Sequence, residues 1–169
     1  MVIWLVGISG SGKTTIGKNL YNNLKKKHKN FLYIDGDVFR KLMNNDLGYS
    51  LDDRNKNAHR LTRVVKYISD SGINIICAAN LTSKKYRTWA RENIKNYFQV
   101  YIKVDKNILI TKRDYKGIYK NALKNKIKNV VGIDIKNVKP LNNDLEIDNS
   151  KGKDNIKNIV KLITKKIKL

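Results

Sequence analysis

Apolar residues along the chain fall into two alternating patterns. Short runs rich in branched and aromatic residues stand at Val2 to Val6, Phe31 to Ile34, Ile73 to Ala79 (interrupted at Asn74), Phe98 to Val104 and Leu145 to Asp148. Their length and composition predict strands, the first of them buried on both faces. Between the runs, apolar positions recur three and four residues apart, as on one face of a helix. Ile16, Leu20 and Leu24 mark a helix from about Lys13 to His28, and Leu61, Val64, Val65 and Ile68 mark a second one. Trp89 and Ile94 fall on a third, Asn107 to Arg113 reads as a short one, and Ile156, Ile159, Val160, Ile163 and Ile167 stripe the last. Ser50, with Asp53 three residues on, is an N-cap signal, and Ser71-Gly72 is a C-cap signal. From Asp114 to Pro140 lysine is frequent and the periodicity weak, which predicts a mobile lid over about residues 114–140. Strands alternating with helices predict an α/β fold, a parallel sheet with helices on both faces, in a single domain spanning residues 1–169. Ligands bind such sheets at the carboxyl ends of the strands.

Composition narrows the class. Hydrophobic residues make up 41% of the chain, which argues against disorder, and the longest apolar runs fall well short of a membrane span. The short apolar start has no basic stretch before it and runs into Gly7-Ile8-Ser9-Gly10, unlike a secretory signal. A lone cysteine, Cys77, rules out an internal disulfide framework and makes a reducing, cytoplasmic setting the expectation. The formal charge is +22, from 36 Lys+Arg against 14 Asp+Glu. That excess is mostly lysine, spread along the chain, and arginine, the residue suited to bidentate phosphate contacts, is scarce. A solvated lysine surface is therefore expected, with no nucleic-acid or membrane partner. A basic nucleic-acid-binding protein that uses a nucleoside triphosphate as a switch is the rival from another class. His28 and His59 lack partners at metal-ligand spacing, Cys77 lies in an apolar strand, and Trp4 and Trp89 read as core. The isoleucine stripe of the last helix is expected to pack on the sheet rather than on a membrane.

One segment carries chemistry outright. Gly7-Ile8-Ser9-Gly10-Ser11-Gly12-Lys13-Thr14 fits the Walker A pattern G-x-x-x-x-G-K-S/T in full, between a predicted strand and a predicted helix. Glycines let the backbone curl so that successive N–H groups converge on phosphate oxygens. Gly7, Ser9, Gly10, Ser11, Gly12, Lys13, Thr14 and Thr15 are thus the candidate ATP-binding residues, with Lys13 reaching the β- and γ-phosphates and the Thr14 hydroxyl a ligand for Mg²⁺. Thr111-Lys112-Arg113-Asp114 also fits the guanine-reading pattern N/T-K-x-D. It follows a helical stretch, and the D-x-x-G switch that should precede it is missing, so a GTPase is disfavoured. Asp35-Gly36-Asp37 ends the second strand near the phosphate loop. Two carboxylates there can divide two tasks, one at the Mg²⁺ shell and one accepting a hydrogen bond from a substrate hydroxyl.

Five blocks, in order, resemble the adenylylsulfate (APS) kinases, and the resemblance covers most of the chain. Gly7 to Thr15 is similar to that family's phosphate loop. Asp35-Gly36-Asp37-Val38-Phe39-Arg40 resembles its D-G-D-x-x-R block, and Gly48-Tyr49-Ser50-Leu51-Asp52-Asp53-Arg54 with Asn57 resembles G-F-S-x-x-D-R-x-x-N. Lys112-Arg113-Asp114 with Lys116-Gly117-Ile118-Tyr119 resembles K-R-D-x-K-G-L-Y, and Ile127-Lys128-Asn129 with Gly132-Ile133-Asp134 resembles the I-K-x-F-T-G-I-D lid. The resemblance implies a three-layer P-loop kinase fold and transfer of the ATP γ-phosphate to the 3′-hydroxyl of a ribose whose 5′ end carries a mixed anhydride. It implies that Asp37 orients or deprotonates that hydroxyl while Asp35 supports the metal region. Arg40, Arg54 and Asn57 would hold the 5′ phosphate end, and Arg113 (on the ATP side) and Lys116 would belong to the closing lid. A homodimer is a possibility that relatives of this kind raise.

The departures from the family pattern lie on the acceptor side. The family sandwiches its acceptor adenine between two phenylalanines; this chain has Tyr49 at one position and Val130 at the other. Stacking on an aromatic ring is worth roughly 1–3 kcal/mol per base, so Val130 should weaken purine binding. Ala79-Asn80-Leu81-Thr82-Ser83-Lys84 replaces F-I-S-P-Y-R, and Ile135-Lys136-Asn137-Val138 follows Gly132-Ile133-Asp134 where x-P-Y-E is usual. These changes imply that the reaction is kept and the acceptor has drifted. They favour the branch that phosphorylates cytidine diphosphoramidate in capsular polysaccharide decoration, with adenylylsulfate the alternative acceptor.

Overall fold

The computed structural model describes residues 1–167. A five-stranded, wholly parallel sheet runs β1 (Val2–Val6), β2 (Phe31–Asp35), β3 (Asn74–Ala78), β4 (Tyr97–Lys103) and β5 (Leu145–Asp148), in spatial order β2-β3-β1-β4-β5. Helix α1 (Lys13–Lys25) and helix α7 (Ile156–Lys166) cover one face, closing a core over Ile3, Leu5, Ile76 and Ile102 with Ile16, Leu20, Ile159 and Ile163. Helices α2 (Gly36–Leu42), α3 (Leu51–Asp70) and α4 (Lys84–Asn93) cover the other, where Phe39, Leu61, Val65 and Ala90 pack on Val2, Trp4, Ile75 and Cys77. Central β1 is buried along its whole length, which is why its sequence shows no polar alternation. No helix among the described residues is long and apolar enough to cross a membrane.

Most predicted elements are found, with shifts at their ends. The first helix stops at Lys25 rather than His28, where the chain tightens so that the Lys27 and His28 N–H groups share the Leu24 carbonyl. The His28 ring then meets Phe31 edge-on instead of extending the helix. The Ser50 cap forms as expected, its Oγ accepting from the Asp53 N–H at 3.1 Å. On α3, Val64 is exposed, and Thr62 takes the buried place with its hydroxyl donating to the Ala58 carbonyl. Trp4 is core, whereas Trp89 is half-buried beneath the Arg63 guanidinium, 3.7 Å from the ring centroid. Cys77 is fully buried, and burial pushes its thiol well above the usual range.

The predicted lid has more order than its weak periodicity implies. After α5 (Lys106–Lys112) it contains a short helix, α6 (Ile118–Leu123), and a bridge from Val131 to Ile135. Leu109, Tyr119, Ala122 and Val130 form a third apolar cluster under it. The fold also sorts the charge. Helices α1 and α7 pack on each other and carry lysines without a single carboxylate, while Asp52, Asp53, Asp70 and Glu92 lie on the helices of the opposite layer.

Gly17, in the middle of α1, lies where the helix meets the sheet. A Cβ there would stand 2.7 Å from Tyr33 Cε2 and 3.3 Å from a Leu5 methyl. Gly17→Ala should improve helix propensity by about 1 kcal/mol. The overpacking should nevertheless prevail, with a net loss of about 1–3 kcal/mol read as a lower thermal midpoint.

Candidate functional site

The loop between β1 and α1 closes a cup at the carboxyl end of the sheet. Gly10 and Gly12 adopt left-handed backbone (φ +73° and +98°), which side chains resist. Three carbonyls of the loop accept from remote or neighbouring side chains. Ile8 O accepts from Lys13 Nζ at 2.8 Å, Ser9 O from the Tyr119 hydroxyl at 2.8 Å, and Ser11 O from Asn149 Nδ2 at 2.9 Å. Burial pushes the Lys13 ammonium down to about 8, with Lys116 adding to the fall and Asp37 and Asp35 pulling against it. Thr15 is exposed in the first turn of α1.

Asp35-Gly36-Asp37, expected from the sequence to end the second strand, also starts a helix. The Asp35 carboxylate accepts from the backbone N–H groups of Asp37 and Val38, capping α2. Its other oxygen accepts from the Thr14 hydroxyl at 2.7 Å and from the Tyr33 hydroxyl at 3.1 Å. Burial raises the cost of the Asp35 charge, but these four donors outweigh it and hold the carboxyl below its ordinary value. Asp37, in the first turn of α2, is exposed and pairs with Lys116 of the lid at 2.5 Å. That hydrogen bond holds the Lys116 ammonium above its usual range.

Beside the acidic pair lies a cationic group. Arg40 is buried, and its Nη1 donates to Leu47 O and Gly48 O, so part of its guanidinium shapes the loop leading to Tyr49. Arg54 donates from Nε to Tyr49 O and from Nη2 to Asn129 O, joining α3 to the lid. Both guanidinium carbons lie over the Tyr49 ring, 4.7 and 5.4 Å from its centroid. Burial and then repulsion from Arg40 hold Arg54 below its usual value. Asn57 lies one turn beyond Arg54 on α3.

The structure brings together Lys13, Thr14, Asp35, Asp37, Arg40, Tyr49, Arg54 and Lys116. Val130 is not among them: its side chain is buried in the lid's apolar cluster with Leu109, Tyr119 and Ala122. Arg113 caps α5 and donates to Ser150 O at 3.0 Å, which ties it to the loop after β5. In the guanine-like pattern, Asp114 accepts from the Lys120 N–H, an ordinary structural task. Three polar groups of the site have no sequence signature of their own. Tyr33 on β2 bonds Asp35, Asn149 after β5 bonds the phosphate loop, and buried Arg87 donates to Leu81 O and Thr82 O. For Asn149 the available signal was its place at the carboxyl end of a parallel strand. Among the described residues no His/Cys/Asp/Glu cluster could hold a metal alone, so an ion here would depend on Thr14, Asp35 and phosphate oxygens. Those two side chains are adjacent and oxygen-bearing, a donor set that suits Mg²⁺.

Known proteins resemble the chain over most of its length. Residues 1–148 match the adenylylsulphate kinase family. The chain is 40% identical over 168 residues to the cytidine diphosphoramidate kinase of Campylobacter jejuni, covering 99% of this chain and 96% of that one. It is 38% identical over 155 residues to adenylyl-sulfate kinase 3 of Arabidopsis thaliana, covering 89% of this chain and 73% of that one. Among solved structures, the Mycobacterium tuberculosis APS kinase in complex with AMPPNP and APS superposes with a TM-score of 0.86 at 29% identity, covering 98% of this chain and 95% of that chain.

The state of Lys13 gives a test. A triphosphate favours the ammonium, while the free cup lowers it to about 8, so nucleotide binding near pH 8 should take up about half a proton. Calorimetric binding enthalpies should therefore differ between buffers of unlike ionisation enthalpy, and affinity should fall as pH rises above 8. Because the folded value lies below the unfolded one, this group penalises the nucleotide-free fold at lower pH. The penalty fades as pH climbs through about 8 towards 10.5.

Proposed function

The chain belongs to the adenylylsulphate kinase family, whose members are ATP-dependent phosphotransferases, and from that premise we propose that it phosphorylates the ribose 3′-hydroxyl of cytidine diphosphoramidate. The observation that carries the reaction type is the Thr14–Asp35 hydrogen bond, which fixes the acidic turn against the phosphate loop. The acceptor reading rests on the similarity, over 99% of this chain, to a cytidine diphosphoramidate kinase and on Val130, which offers no aromatic ring to pair with Tyr49.

In this reading the backbone cup and Lys13 grip the β- and γ-phosphates. Thr14 would hold Mg²⁺ and Asp35 its hydration shell, and that ion would supply neutralisation of phosphate charge. Asp37 accepts a hydrogen bond from the 3′-hydroxyl and aims its oxygen at the γ-phosphorus in line with the leaving ADP oxygen. As the new O–P bond forms and the old one breaks, the hydroxyl proton passes to Asp37. Before the acceptor arrives, Asp37 pairs with Lys116, but both side chains are more than 60% exposed. Pairs so exposed are worth only about 0–1 kcal/mol, so the exchange is cheap, and the released ammonium is free to meet the charge on the transferring phosphoryl group. Arg40 and Arg54 stand together, and among the described residues no carboxylate is bonded to either, which suits a 5′ anhydride that carries negative charge.

One assay decides the acceptor: kcat/KM with ATP for cytidine diphosphoramidate, adenylylsulfate and CDP. Cytidine diphosphoramidate should give the highest value, and a clear preference for adenylylsulfate would refute the reading. Asp37→Asn should leave ATP affinity nearly unchanged and lower kcat by about 10² or more, as measured in steady-state turnover. Lys13→Ala should impair both ATP binding and turnover.

A further inference from the structure

We infer that Asn149 and Tyr119 are positioning residues for ATP, each locking one peptide plane of the phosphate loop so that an N–H donor stays aimed at the phosphates. In a trans peptide the carbonyl of one residue and the N–H of the next point in opposite directions within one plane. Whatever grips the Ser9 carbonyl therefore fixes the Gly10 N–H, and whatever grips the Ser11 carbonyl fixes the Gly12 N–H. Gly10 and Gly12 are the loop's left-handed residues, the joints where a peptide can flip at least cost. A flip at either joint would replace a donor by a carbonyl oxygen, which repels phosphate.

Each joint has one clamp, and each clamp comes from a remote part of the chain. Tyr119, on α6 of the lid, is 3% exposed and donates its hydroxyl to Ser9 O at 2.8 Å across 110 positions in sequence. Asn149, after β5, is 2% exposed and donates Nδ2 to Ser11 O at 2.9 Å across 138 positions. Its amide occupies the space where Gly12 would carry a Cβ, so glycine and amide are fitted to each other. Packing alone does not explain Asn149. Its Oδ1 and the neighbouring Ser11 Oγ are buried with no hydrogen-bond partner among the described residues, and an unpaired buried polar atom costs stability. A residue present at such a cost points to a task elsewhere, and among the described residues the bond to Ser11 O is the one hydrogen bond its side-chain amide makes. The loop that carries Asn149 is itself braced, since Arg113 donates to Ser150 O and leaves no room for a Cβ at Gly152.

Tyr119→Phe removes one donor without changing shape, and Asn149→Leu removes the other at similar volume. Calorimetric titration with MgATP, together with KM for ATP and for the acceptor, reads the effect. Each variant should bind MgATP at least five-fold more weakly, while the acceptor KM stays within two-fold of the native value. A role in folding alone would lower the thermal midpoint and leave the MgATP affinity of the folded fraction unaltered, and that result overturns the inference. Should Asn149→Leu not fold, Tyr119→Phe decides: MgATP affinity within two-fold of native refutes it. Native protein that binds no MgATP would instead sink the ATP-site reading on which the inference rests, so the two failures are distinct.

Discussion

The site depends on one short bond, from the Thr14 hydroxyl to the Asp35 carboxylate. Thr14 opens the helix after the phosphate loop, and Asp35 ends a strand two positions across the sheet, with β3 between β2 and β1. The bond therefore ties together the two loops that must face each other for phosphoryl transfer. Asp35 serves three ends with two oxygens: it caps α2, accepts from Tyr33 and accepts from Thr14. Capping α2 sets the direction of the next turn, and so sets where Asp37 stands. Proton transfer needs that placement before it needs a suitable pKa.

Burial divides the charged groups of the site into fixed and exchangeable ones. Lys13, Asp35 and Arg40 are held by hydrogen bonds to the protein and have little freedom to leave. Asp37 and Lys116 meet in solvent, where an ion pair is weak. In the proposed reaction the groups that meet the acceptor must be released on every turnover while the nucleotide cradle stays rigid, and this division of burial would serve both needs. The lid participates twice, through exposed Lys116 and through buried Tyr119, three residues on and in helix α6.

The acceptor side is where the chain departs from its relatives' pattern. Tyr49 keeps an aromatic face, but two guanidinium groups lie over its ring, and Val130 has withdrawn into the lid's apolar cluster. A base in this site has at most one aromatic partner from the expected pair, a smaller stacking surface than a purine between two rings enjoys.

Sequence by itself determined the strand–helix alternation, the phosphate loop and the identity of the acidic pair. Each is encoded locally: β1 by an unbroken apolar run, the loop by glycines at fixed spacing, and α3 by the Ser50 cap and an apolar stripe. It did not reveal that Asp35 caps a helix, because a cap and a turn use the same residue types. Nor did it reveal order in the lid, whose cluster of Leu109, Tyr119, Ala122 and Val130 has no helical period. Lysines that read as evenly spread came to lie, on α1 and α7, in a layer free of carboxylates, since only the order of strands decides which helices share a face. Asn149 on Ser11, Tyr119 on Ser9 and Lys116 on Asp37 span 138, 110 and 79 positions. Contacts of that reach leave no local trace, because they are set by where the sheet delivers its loops.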